Sequence, residues 1–225
     1  MKKIDINIKG AIINSSVKWV YDMFQMEASC PCDVEKSIKS AKGDDIHVYI
    51  NSSGGDIGAG AEIYSLLESY KGNVYIHIVG YCCSAASVIA CAGYCDMVRV
   101  GMYMYHNVSS SASGDYNAMD KQSQVLRTAN RAICSAYVKK TGKTEQELLE
   151  QMNAETWLTA EDAVKMGFVD KIAENKNLNL VAGFSTTIPT QIIDYMRNSQ
   201  LNQKKAQLKV ELDILKLKEI NTYEK

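Results

Sequence analysis

A serine that follows a strand and opens an apolar helix has the makings of a nucleophile. This chain has one at Ser84, in the run Gly80-Tyr-Cys-Cys-Ser84-Ala-Ala-Ser87. The positive end of a helix dipole favours a serine alkoxide and the oxyanion it creates. From these residues alone two other readings stand beside it. One is an ordinary helix-capping serine, and the other is Ser87, one turn on, which the apolar pattern turns inward. A serine nucleophile needs a base that accepts a proton near neutral pH, and histidine is the usual one. The chain has three histidines. His47 (IHVYI) and His77 (VYIHIVG) lie within strand-like runs, where an inert packed or surface position is expected. His106 closes MYMYH and opens a polar Ser/Gly loop over 107–115, so elimination favours it. Sequence distance by itself fixes no triad.

A second element of such chemistry is a place for negative charge on oxygen. Asn51-Ser52-Ser53-Gly54-Gly55-Asp56 lies between a strand and a helix. Adjacent glycines let the backbone approach a ligand closely, and N–H groups near a helix N-terminus suit an anionic oxygen. A plain strand-to-helix turn explains the same residues equally well. No G-x-x-x-x-G-K-[ST] phosphate loop is present.

Composition removes other function classes. Lys+Arg number 25 against Asp+Glu 26 in 225 residues, so no basic excess draws the chain to nucleic acid. A hydrophobic fraction of 46% with 23% charged residues describes a core-forming chain. MKKIDINIKGAIIN lacks the apolar h-region of an export signal. No stretch reaches the roughly 18 apolar residues of a membrane helix. The expectation is a cytoplasmic chain without a membrane partner. Seven cysteines, an odd number, are then expected to be reduced thiols. Cys30-Pro-Cys32 hints at metal or redox chemistry, but no second ligand pair stands at zinc spacing. No metal and no cofactor is expected.

The elements that must position these residues are read from periodicity. Residues 4–14, 46–51, 74–79 and 97–105 read as strands, and 168–172 as a short one. Helices are expected over 57–70, 84–93, 116–140, 144–152 and 160–166, with one or two more within 17–42. Thr144 with Glu147 has the capping-box pattern, and Thr159 with Asp162 opens the next helix similarly. Strands alternating with helices predict βαβ crossovers and a mainly parallel, buried sheet. After Ile172 the chain turns polar and irregular, and 192–220 looks helical, with Leu201, Leu208, Leu212 and Leu215 on one stripe. The predicted organisation is a domain over 1–172 and a linker with helical tail over 173–225. That tail either packs on its own domain or serves assembly and scaffold binding.

Four runs in order, INSSGGDIGAGAEIY, VGYCCSAASVIACAG, MYMYHN and WLTAEDAVKMGFVD, resemble the ClpP-type serine peptidases. Among these they are most similar to the ClpP-related head maturation (prohead) proteases of tailed bacteriophages and prophages. The resemblance spans residues 4–172. It implies a ClpP/crotonase-type spiral of ββα units, with Ser84 as nucleophile and His106 as general base. It also implies an oxyanion hole from the Gly54-Gly55 turn and Ala85. Two departures stand out. The family's proline before the paired glycines is Ser53 here. The family's third triad member has no plain counterpart: the ungapped match falls on Gln151, Asn153 is the nearest aspartate-like residue and Glu155 the nearest carboxylate. Asn153 is taken as third member, with Glu155 or no third member as the alternatives.

The function so implied is a serine endopeptidase acting on capsid and scaffold proteins during phage head maturation, assembled as a homo-oligomeric ring in the host cytoplasm. Three alternatives are a ClpP-like subunit fed by an ATP-dependent unfoldase, a crotonase-related acyl-CoA enzyme, and a catalytically dead assembly protein.

Overall fold

The computed structural model describes residues 3–174 and 187–223. The chain divides into two compact units, Met1–Thr186 and Thr187–Lys225. In the first, an eight-stranded sheet carries the strand order β2-β1-β3-β4-β5-β8, with β6 and β7 branching from β4. The strands are β1 (Ile4–Ile12), β2 (Ala28–Ser29), β3 (Ile46–Gly55), β4 (Val74–Cys83), β5 (Tyr94–Met97), β6 (Met102–Tyr105), β7 (Thr156–Leu158) and β8 (Lys171–Ile172). Every pairing is parallel except β6 with β7. The helices of this unit are α1 (Lys18–Met23), α2 (Pro31–Ala41), α3 (Ile57–Glu68), α4 (Ala85–Ala90), α5 (Tyr116–Thr141), α6 (Glu145–Asn153) and α7 (Ala160–Lys165).

The expected mainly parallel α/β architecture is the one present, with one difference in burial. Along β3, Ile46, Val48, Ile50 and Ser52 are buried while His47, Tyr49 and Asn51 are only half-buried. Successive side chains of a strand point to opposite faces, so this alternation leaves one face of the sheet uncovered by the unit's own helices. That face carries a polar-aromatic stack: His47 on Tyr75 with centroids 5.0 Å apart, and His77 on Tyr49 at 4.9 Å.

The expected strand over 97–105 is two strands. β5 pairs with the lower half of β4 (Tyr75↔Tyr94 to Ile78↔Met97) and β6 with its upper half (Tyr81↔Met102 to Cys83↔Met104). A turn closed by Gly101 N–H to Val98 O at 2.9 Å separates them. The break matches a register shift on the other edge of β4. Ile50 faces Ile78, whereas Ser52 faces Cys82. Asn51 Oδ1 fills the discontinuity by accepting the Tyr81 N–H at 2.9 Å.

Capping explains where the helices begin. Asp56, Asp115, Thr144 and Thr159 each accept a backbone N–H three residues on, at Ala59, Ala118, Glu147 and Asp162. The capping box at Thr144 is one-sided, because the Glu147 carboxylate turns to Lys143 Nζ at 2.6 Å. The helix expected over 84–93 is α4 alone, and the strand expected over 168–172 keeps only Lys171–Ile172. Phe168 and Val169 instead direct their N–H groups to Ala163 O.

Those bonds bury Phe168 among Tyr103, Tyr105 and Tyr137, at centroid separations of 5.0, 4.7 and 5.6 Å. The cluster lies where β6, α5 and the chain after α7 meet. The second unit contains α8 (Thr190–Tyr223), which covers the helix expected over 192–220. On it Leu201 and Leu208 are exposed, and the side chains of Leu212 and Leu215 lie outside the described residues. So does 175–186, most of the expected irregular linker. Replacing Phe168 by Ala is expected to lower the unfolding free energy by about 3–5 kcal/mol, as for other buried aromatic truncations. Urea unfolding checks it, with Phe168→Leu expected to recover most of the lost stability.

Candidate active site

The paired registers of the sheet bring the candidate residues together. Cys83 faces Met104 across β4 and β6, so Ser84 and His106 leave the C-terminal ends of two adjacent parallel strands. Strand ends of this kind are where open α/β sheets hold ligands. His106 Nε2 lies 2.8 Å from Ser84 Oγ. With the serine O–H donating, Nε2 is the acceptor and the imidazole proton sits on Nδ1.

Ser84 is not a capping serine. Its side chain makes no cap hydrogen bond, and its backbone sits at φ 54°, ψ −123°, a region that L-residues with a Cβ avoid. Such strain costs on the order of 1–3 kcal/mol and persists only where the surroundings over-determine it. Here they do so from both sides. The Ser84 N–H donates to Met104 O at 2.9 Å, and the Ser84 carbonyl accepts from Ser87 N at 2.9 Å and Ser87 Oγ at 2.6 Å. Ser87 is fully buried and shares its hydroxyl with Tyr137 Oη at 2.8 Å, while Tyr103 Oη donates to Ser87 O at 2.8 Å. Burial pushes the hydroxyls of Tyr103 and Tyr137 well above the usual tyrosine range, so both stay neutral. Ser87, the competing serine, therefore supports the Ser84 turn from inside the core.

The paired glycines lie against that turn. A Cβ on Gly54 would stand 2.7 Å from both Cys83 O and Ser84 Cβ, and 3.1 Å from Ala85 N. A Cβ on Gly55 would stand 2.2 Å from Ile12 O. Both residues have positive φ, at 98° and 147°. The Gly54 N–H donates inward to Ser52 Oγ at 3.1 Å, and that hydroxyl donates to Gly10 O at 2.6 Å. Gly54 thus contributes close backbone approach, and its expected place as an oxyanion donor is taken by this internal bond. Gly55 lines the cleft with Ser84, and Ala85 is the first residue of α4, whose leading N–H groups have no intrahelical acceptor.

The expected third residue does not touch the histidine. Asn153 Oδ1 accepts from Asn107 Nδ2 at 2.5 Å, and no hydrogen bond joins it to His106. Gln151 accepts from Tyr105 Oη at 2.6 Å, and Glu155 accepts from Trp157 Nε1 at 3.1 Å. Among the described residues none of the three reaches His106. Side chains at the end of α6 instead hold the residues on either side of it, and Asn107 N–H donates to Met152 O at 3.2 Å. Among the described residues, Asn107 Oδ1 is a buried acceptor without a partner.

His47 and His77 stand apart from this cleft. His47 Nδ1 meets His77 Nε2 at 2.8 Å, and His77 Nδ1 meets Asp96 Oδ1 at 2.9 Å on the uncovered sheet face. Burial holds His47 below the usual histidine range, assisted by the nearby Lys3 charge. The cleft itself has about 410 Å³ and runs from Ser84 and His106 between the loop after β6 and the flank of α5. Val108 N–H, held by Asn130 Oδ1 at 2.7 Å, ties that loop to α5. Ile57, Val125, Leu126 and Ile133 supply its apolar wall.

The strain at Ser84 is directly measurable. Ser84→Gly and Ser84→Ala both remove the hydroxyl, but only Gly is relaxed at positive φ. Ser84→Gly is expected to unfold with a free energy about 1 kcal/mol above that of Ser84→Ala. Equal stabilities in chemical denaturation would refute the strain.

Three comparisons bear on this geometry. The family model described as Clp protease matches residues 37–176. The ATP-dependent Clp protease proteolytic subunit 2 of Treponema denticola is 30% identical over 135 residues, covering 58% of this chain and 67% of that protein. A solved ClpP1 mutant from Listeria monocytogenes superposes with a TM-score of 0.64 at 21% identity, over 77% of this chain and 92% of its own.

Proposed function

The chain belongs to the Clp protease family of serine-type peptidases, and from that premise we propose that it cleaves polypeptides with Ser84 as nucleophile and His106 as general base. The observation carrying this reading is the 2.8 Å contact between Ser84 Oγ and His106 Nε2, made by a serine held at positive φ. Ser84 Oγ attacks the scissile carbonyl while its proton passes to Nε2. The carbonyl oxygen becomes an oxyanion facing the N–H groups proposed to receive it, those of Gly55 and Ala85. Collapse expels the amine, which takes the proton from His106, and water then releases the acyl group by the same route. Asn153 acts here as a positioning residue: its bond to Asn107 steadies the backbone next to the base.

The substrate reading is narrower. Processing of capsid and scaffold proteins during phage head assembly rests on the resemblance of the four motif runs, and α8 beyond the peptidase unit is available for scaffold binding. The Treponema relative, named as the proteolytic subunit of an ATP-dependent protease, favours a second reading, a subunit supplied by an unfoldase. Either reading includes a ring of copies. The exposed Val100 (73%) and Tyr116 (75%), with Met119 and Val125 along the first half of α5, support that assembly. No helix among the described residues is long and apolar enough to cross a membrane. An acyl-CoA enzyme working from an oxyanion hole alone has no use for the Ser84–His106 contact.

Ser84→Ala and His106→Ala are each expected to lower peptide hydrolysis by about 10⁴-fold or more. Fluorophosphonate labelling should map to Ser84 and disappear in Ser84→Ala. Asn153→Ala is expected to lower kcat by about tenfold or less with KM unchanged, because no orienting bond to the imidazole is lost. Unaltered hydrolysis by Ser84→Ala would sink the mechanism. If capsid and scaffold proteins co-expressed with Ser84→Ala are still processed, the head-maturation reading fails. Stable co-purification with an ATPase would favour the unfoldase reading instead.

The apolar wall of the cleft sets a preference. Fluorogenic peptides with Leu on the acyl side of the scissile bond should exceed those with Ala by about tenfold or more in kcat/KM. Leu126→Glu should erase most of that ratio.

A further inference from the structure

At the start of α2, far along the chain from Ser84 and His106, two thiols face each other. Cys30 Sγ lies 3.1 Å from Cys32 Sγ, and Asp33 accepts from both, at 3.4 Å and 3.6 Å. The pair is held from the backbone. Cys30 is the N-cap in extended conformation, Pro31 occupies the first helical position, and Cys32 N–H donates to Ser15 Oγ at 3.1 Å. Pro31 restricts the bond between the two thiols, so little conformational freedom remains to be lost when they join. Cys30 is fully buried and Cys32 is half-buried. Burial, the neighbouring thiol and the Asp33 carboxylate push Cys30 up to about 11.

The same three residues are the one group among the described residues able to offer three clustered metal donors. Their geometry fits a metal less well. Two sulfurs bound to a tetrahedral zinc at about 2.3 Å stand about 3.8 Å apart, and structural zinc takes four ligands. The observed 3.1 Å falls short of that separation, and only three donors are gathered here.

We propose that Cys30 and Cys32 are a reversible redox pair, oxidised to an intramolecular disulfide by a low-molecular-weight disulfide of the glutathione type. Cys32, the accessible thiol, loses its proton to solvent and attacks one sulfur of the oxidant. A Cys32–S–S–R bond forms as the R–S–S–R bond breaks, releasing one RSH. Cys30, giving its proton to the Asp33 carboxylate that already accepts from it, then attacks Cys32 Sγ, closing the protein disulfide and releasing the second RSH. Two protein thiols are oxidised and one small disulfide is reduced to two thiols. The inference is independent of the peptidase reading.

The test uses the full chain incubated with oxidised glutathione, alkylated, digested and mapped by mass spectrometry. The expected result is loss of two alkylatable thiols per chain and a peptide joining Cys30 to Cys32, reversed by dithiothreitol. Cys30→Ala should trap a stable glutathione adduct on Cys32. Cys32→Ser, at the less buried position, should abolish reaction at both sites, with circular dichroism confirming that each variant folds. Three results overturn the proposal: both thiols remaining alkylatable in excess oxidant, a persistent adduct on Cys32 in the unsubstituted chain, or one zinc ion per chain retained on the pair and blocking its oxidation.

Discussion

Strand β4 has β3 along one edge and, in succession, β5 and β6 along the other, and the geometry of the cleft depends on that change of partner. A strand pairing with one neighbour throughout delivers its end beside one other strand end. Because β4 changes partner above Ile78, its last residues lie against β6 while its first lie against β5. Ser84 and His106 then leave adjacent strands in parallel, and a single register fixes their separation. The Asn51 side chain is part of this device, since it takes up the Tyr81 N–H where the β3 ladder is interrupted. A buried N–H left open there would cost about 1–3 kcal/mol.

Local strain and local support meet at Ser84. Positive φ at a residue with a Cβ is unfavourable, and the compensating bonds come from three separate parts of the chain: Met104 on β6, Ser87 on α4 and, through Ser87, Tyr137 on α5. Gly54 packs against the outer side of the same turn, where any Cβ would collide with Cys83 and Ser84. Ser84 is therefore held in this conformation by bonds and packing from several parts of the core. Strain of this sort is characteristic of functional sites, where the surrounding fold imposes it.

Much of this was legible in the residues. The polar loop at 107–115, the helix caps at Thr144 and Thr159, and the parallel alternation of elements are local properties, and local physics specifies them. His106 stood out because the other two histidines lay inside strands. What escaped were pairings too short to carry a periodicity. β2 has two residues and β7 three, and only their neighbours make them strands. The expected burial of both sheet faces holds for one only, and His47, Tyr49, Tyr75 and His77 alternate with the core residues as an uncovered face requires. Asn153 is the nearest aspartate-like residue to the family position, and its side chain bonds to Asn107. At Cys30 and Cys32 the sequence offers a hint of metal or redox chemistry and no second ligand pair, because sequence does not say how two thiols and a carboxylate turn toward one another.

The amino-acid sequence by itself determined the α/β class, the order of the elements and the kinds of side chain available: a serine at a strand end, a histidine at the next, and glycines where backbone must pass closely. These follow from hydrophobic period, capping chemistry and φ preference, which act over a few residues. Tertiary structure decided that the Gly54 N–H turns inward to Ser52 and that Asn153 meets Asn107. It also decided where the spare thiols met. Those outcomes turn on strand register and on hydrogen bonds between residues far apart in the chain. A shift of one residue in a register reverses every side chain on the strand, so no local rule could have settled them.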